Sequence, residues 1–151
     1  MPRSLKHWLA ILLAALAGAA AWAASTQIST DKTIINFRSS TFTPEGFRSW
    51  LIRGSEALVH PDQHQITVTE LTLSIFPGKA ENEKVETMIL SPTAEVLPEE
   101  SVVTGQKTIR VINDEFEATG SGWRYEHKEK KVSITRNVRV VFHAELKDFL
   151  K

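Results

Sequence analysis

The chain has 151 residues, 18 basic and 18 acidic, and no net formal charge. That length suits one domain with a substantial core, and the neutral balance argues against a nucleic-acid binder, which is usually strongly basic. There is no cysteine, so disulfides and cysteine-containing zinc sites are excluded.

The N-terminal residues 1–23 read as an export signal or membrane anchor. Arg3 and Lys6 form a positive region ahead of an apolar run at 8–22, and Ala21-Trp22-Ala23 offers small residues to a signal peptidase. The run has 15 residues, short of the roughly 20 that span a bilayer comfortably, which favours cleavage over a retained tether at residues 8–24. Without Arg3 and Lys6 the chain keeps 16 basic and 18 acidic residues, a net charge of −2. Residues 24–33 are polar and read as a flexible leader.

From 34 to 142 short β-rich runs alternate with turn signals. Thr43-Pro44-Glu45-Gly46 is a turn signature. A strand, or two broken at Gly54, follows at 47–59, and His60-Pro61-Asp62-Gln63 turns the chain. Residues 65–76 alternate throughout, but Val68 and Leu71 differ in parity, which predicts a β-bulge or bend. Pro77-Gly78 ends that run, and 79–84 is charged and exposed. Residues 85–97 read as a strand pair broken at Ser91-Pro92. Residues 102–112 read as a strand interrupted at Gly105. Residues 120–142 (GSGWRYEHKEKKVSITRNVRVVF) read as three short strands. The tail 143–151 carries Leu146, Phe149 and Leu150 at helical spacing.

The segments repeat. Residues 91–113 align without a gap on 120–142 at an offset of 29, and 54–76 align at an offset of 66, with Leu71 and Leu73 slipping by one position. A unit of about 29 residues holds two ordinary strands and their turns, and such units must stack to bury their apolar faces. Nothing in 27–142 has the pattern of a long amphipathic helix. The expected architecture is all-β and antiparallel, a curved sandwich or roll.

No catalytic constellation emerges. His60 and His64 are separated by a turn, and His127 sits among charged turn residues and reads as solvated. Asp114, Glu115 and Glu117 read as a solvated acidic rim. Gly120-Ser121-Gly122 lacks both the nucleophile-elbow and the dinucleotide patterns. No enzyme activity, metal or cofactor is expected. What remains is an apolar face with a basic edge. Its candidate lipid-contacting residues are Trp50 and Ile52, then Leu71, Leu73 and Ile75, then Ile109 and Val111, then Trp123 and Tyr125, and last Val132, Ile134, Val138, Val140 and Phe142. Lys107, Arg110, Arg136 and Arg139 project from the opposite face, where they are either a wet sheet surface or phosphate contacts at a groove mouth.

One further set of motifs carries a family likeness. Phe42-Thr43-Pro44-Glu45-Gly46 leads to Trp50 and Gly54-Ser55-Glu56-Ala57. Leu90-Ser91-Pro92-Thr93-Ala94 follows, and Gly122-Trp123-Arg124-Tyr125 with Asn137-Val138-Arg139-Val140 closes the pattern. Over 37–142 the chain resembles the LptC/OstA-like family of periplasmic lipopolysaccharide-export proteins. The resemblance implies an open, V-shaped β-jellyroll that holds lipid A acyl chains inside. It implies passage of lipopolysaccharide from an inner-membrane ABC transporter toward the outer membrane, with the transporter and a periplasmic bridge protein as partners through pairing of edge strands, and without chemistry by this chain. The tethered branch keeps a transmembrane helix, whereas Ala21-Trp22-Ala23 looks cleavable, as in a soluble bridge member. The competing expectation is a non-catalytic envelope β-sandwich with a structural or protein-interaction role.

Overall fold

In the computed structural model, residues 31–79 and 84–143 are described. The export or anchor segment 1–23, most of the leader and the tail beyond His143 lie outside them. Seven strands run in chain order: β1 Lys32–Phe42, β2 Arg48–His60, β3 Gln65–Ile75, β4 Thr87–Leu97, β5 Val102–Asn113, β6 Phe116–Glu126 and β7 Lys131–Phe142. A single 3₁₀ turn, Pro61–Gln63, separates β2 from β3. Each strand pairs antiparallel with its chain neighbour, giving one open sheet in the order β1-β2-β3-β4-β5-β6-β7. Among the described residues there is no α-helix.

Every strand is bent near its middle, and the bends line up. Asn36 in β1, Ser55 in β2, Glu70 in β3, Pro92 in β4, Gln106 and Lys107 in β5, Gly122 in β6 and Asn137 in β7 drop out of the ladder. Proline has no N–H to give a ladder. Asn36, Glu70, Gly122 and Asn137 adopt positive φ, at 54°, 53°, 63° and 51°. An unpaired residue shifts the two-residue side-chain period by one. Ile52 and Ala57 are both buried although five apart, as are Val68 and Leu71 although three apart.

This crease folds the one sheet into two facing limbs. The first limb holds 37–42, 48–53, 71–75, 87–90, 109–113, 116–119 and 138–142. The second holds 32–35, 56–60, 65–69, 93–97, 102–105, 123–126 and 131–135. One core lies between them: Trp50, Ile52, Leu71, Leu73, Ile89 and Ile109 from the first, Ala57, Val68, Val96, Val103, Trp123 and Tyr125 from the second. Close packing inside requires Gly105, because a Cβ there would lie 2.6 Å from the Trp123 indole nitrogen.

The repeat holds element for element. Thr87 and Leu97 bound β4 as Phe116 and Glu126 bound β6, and Val102 and Asn113 bound β5 as Lys131 and Phe142 bound β7, each 29 residues apart. Several expected strand breaks are corrected. Gly54, Ser91-Pro92 and Gly105 do not end strands; they are crease positions inside the continuous β2, β4 and β5. Residues 120–142 form the end of β6 and a single bent β7, so two strands replace the three expected. Lys32 and Thr33, expected in the leader, belong to β1.

Gly122 tests the crease. Its φ of 63° disfavours any side chain, and a Cβ would meet Thr135 Oγ1 at 2.6 Å. Gly122→Ala is expected to lower the unfolding free energy by about 1–2 kcal/mol, read as an earlier urea midpoint in tryptophan fluorescence. An unchanged midpoint would contradict a glycine-dependent bend.

Candidate functional site

The limbs are clasped at their tips. Trp50, at the start of β2, meets the turn that joins β6 to β7. The His127 ring stacks on the Trp50 indole with centroids 4.6 Å apart and planes 16° apart, and Tyr125 packs on the same indole at 6.1 Å. His127 Nε2 is hydrogen-bonded to Ser49 Oγ at 2.5 Å, and Nδ1 to the Tyr125 hydroxyl at 2.8 Å. His127 was expected to be solvated; it is half-buried and pinned on both ring nitrogens. Burial, then the nearby Lys130 ammonium, lowers its pKa from the usual 6.5. Burial, then the charge of Glu86, raises the Tyr125 phenol well above its usual value. A second link crosses the tips between Lys130 and Glu86, with Nζ and Oε2 3.6 Å apart.

Between the crease and this clasp lies a cavity of about 410 Å³. The first limb contributes Ile75, Val111, Phe116, Ala118, Val138 and Val140, with Thr87 and Asn113. The second contributes Tyr125, Val132 and Ile134, with Lys130, and Glu86 stands just before β4. The floor is packed, but the β7 wall is not. Val138 and Val140 face inward yet remain 53% and 44% exposed, because among the described residues β7 is the last strand and pairs only with β6. The cavity therefore opens along β7.

The proposed lipid-contacting residues divide into two groups. Ile75, Val111, Tyr125, Val132, Ile134, Val138 and Val140 line the cavity. Trp50, Ile52, Leu71, Leu73, Ile109 and Trp123 sit in the packed core beside it. Phe142 lies at the exposed end of β7, edge-on to Phe116 at 6.2 Å. The lining also includes Glu86, Thr87, Asn113, Phe116, Ala118 and Lys130. Ala118 had a signal, since the 29-residue offset places it on buried Ile89; turn residues Glu86 and Lys130 had none.

The basic residues lie elsewhere. None of Lys107, Arg110, Arg136 and Arg139 lines this cavity. Arg110 donates to both carboxylate oxygens of Glu117, at 2.6 and 3.0 Å, and borders a second, more open groove of about 820 Å³ along the outer side of the crease. That pairing raises the Arg110 pKa and lowers that of Glu117. Arg136 donates to the Gln106 carbonyl at 3.1 Å, and Lys107 and Arg139 are exposed. Asp114 accepts from Lys84 at 2.7 Å. His60 bonds Asp31 and Thr67, and His64 bonds Glu99. Among the described residues no cluster of three or more histidines and carboxylates could hold a metal.

Residues 78–143 match the family model described as LptC: Lipopolysaccharide-assembly, LptC-related. Over this span the chain is similar to the LptC-related family. The matched span holds β4 to β7 and, with them, nearly all of the cavity lining. The match supports a role in lipopolysaccharide assembly. A search of curated proteins found no match.

The clasp makes stability depend on pH. The unfolded chain holds His127 at its usual 6.5, and the folded chain holds it lower. On acidification the unfolded state takes up this proton first, so stability present at neutral pH is lost as pH falls through 6.5 toward the folded value. His127→Phe keeps a ring on Trp50 and removes the titration. Thermal melts between about pH 7.5 and about pH 5.5 should show a flatter slope for this variant than for wild type. Equal slopes would contradict the assignment.

Proposed function

We propose that the chain is a periplasmic lipopolysaccharide-export component that seats a lipid A acyl chain between its two limbs. The observation that carries this reading is the apolar cavity, walled by Val111, Ile134, Val138 and Val140 and left open along β7. At about 410 Å³ it falls within the roughly 300–1,000 Å³ of small-molecule sites. Each buried methylene contributes about 0.8 kcal/mol, so a segment of about ten gains about 8 kcal/mol before the entropy of ordering it. A lateral opening suits a carrier, because an acyl chain can slide in and out without the core unfolding.

Handover would run through the sheet edges. Among the described residues β1 and β7 each have one unpaired side, and they carry all seven exposed large apolar side chains: Ile34, Ile35 and Phe42 on β1, Val138, Val140, Val141 and Phe142 on β7. Such edges accept strands of other jellyrolls, here the inner-membrane transporter on one side and a bridge protein on the other. This would extend the apolar lane from one protein to the next. Residues 1–23 would deliver the chain to the periplasm, or hold it at the inner membrane through 8–24.

A fluorescent fatty acid tests the groove. Val138→Asp and Val140→Asp each place a charge on the lane at a half-exposed site, so the fold should survive while probe affinity drops by about tenfold or more. Unchanged affinity in both variants would overturn the proposal.

A further inference from the structure

The polar lining residues of the cavity gather at one end. Glu86, Thr87, Asn113 and Lys130 are joined there by the Tyr125 hydroxyl, while the rest of the lining is apolar. This gives the cavity a greasy lane and a charged port. The Lys130–Glu86 contact is loose, at 3.6 Å, and both side chains are about half exposed, 50% and 53%. Exposed pairs of this kind contribute about 0–1 kcal/mol, so a competing anion can displace Glu86 at little loss.

Lys130 is also held in place. Its backbone sits at φ 49°, a left-handed conformation unusual for lysine, and its N–H donates to the His127 carbonyl at 3.2 Å. His127 is itself fixed by Ser49, Tyr125 and Trp50. The same left-handed residue closes the two corresponding turns, at His64 (φ 49°) and Ser101 (φ 59°), so the turn fixes where the Lys130 side chain starts. The clasp therefore presents one ammonium group at the port.

We infer that Lys130 and Glu86 form a headgroup port, in which Lys130 contacts the phosphate of an amphiphile whose acyl chain lies along Val111, Ile134 and Val140. Glu86 is the partner that the phosphate displaces. This rests on the acyl-chain reading above and adds the chemistry of the headgroup and its position: at the clasp end, not at the arginines of the outer face.

The test compares an acyl-glycerol phosphate with the matching monoacylglycerol, using the whole exported chain. Wild type should bind the phosphate form about tenfold more tightly, the size of one charge-assisted contact. Lys130→Ala should abolish that preference, bringing the ratio of the two affinities to about one. Lys130→Arg should retain the preference, and Glu86→Gln should increase it. A preference that survives in Lys130→Ala would overturn the port while leaving the acyl lane intact. Failure of wild type to bind either amphiphile would overturn the lane and the port with it. Inorganic phosphate that matches the potency of the acyl-glycerol phosphate in competition would show a site for the free ion, and would also overturn the headgroup assignment.

Discussion

Everything in this structure depends on the crease. A seven-stranded meander is one hydrogen-bonded sheet of six ladders and, left flat, has no second layer to bury a face against. Near the middle, one residue drops out of the ladder in most strands, two in β5, and Thr135, Asn137 and Val138 in β7. This bends the sheet and rephases its side chains together. The apolar positions on either side then face the same interior, and a single sheet supplies both layers of its own core. The strain at Asn36, Glu70 and Asn137 is tolerated because each is held by neighbours bent at the same place.

A creased sheet still needs something to hold its limbs together. The crease fixes one end. At the other end Trp50 stacks on His127, 77 residues away in sequence, and His127 bonds across the gap to Ser49 and within its own limb to Tyr125. Between these two fixed ends the packing loosens toward β7, where among the described residues no further strand covers Val138 and Val140. The cavity is thus a consequence of an open sheet. Closing the sheet with an eighth strand would fill the groove and remove the lateral entrance.

Much of this was legible in the sequence, but one class of signal carries a double meaning. Period-two alternation identifies the strands, and the 29-residue offset reproduces the β4–β5 and β6–β7 bounds. Gly54, Ser91-Pro92, Gly105 and the parity change after Val68 are all visible as interruptions. Local propensity cannot distinguish a strand end from a bend within a strand, because both need a residue outside the ladder. Only the alignment of the interruptions across six register pairings reveals a crease. The site divides the same way. Inward positions such as Ile134 and Val140 follow from alternation. His127 and Lys130 belong to a turn whose role is set by what it docks against, 40 or more residues away in sequence, and no local pattern encodes that. Seven of the candidate lipid contacts line the cavity and six are packed in the core, since alternation gives the face of a side chain and not the free space in front of it.

The central claim is that the space between the limbs receives the acyl chains of lipopolysaccharide. The most direct measurement is photo-crosslinking in envelopes that are actively exporting lipopolysaccharide, with a photoreactive residue placed at inward-facing Ile134 or at outward-facing Arg139. The account predicts a lipopolysaccharide adduct from position 134 and none from position 139. No adduct at 134, or equal labelling from both positions, would contradict it.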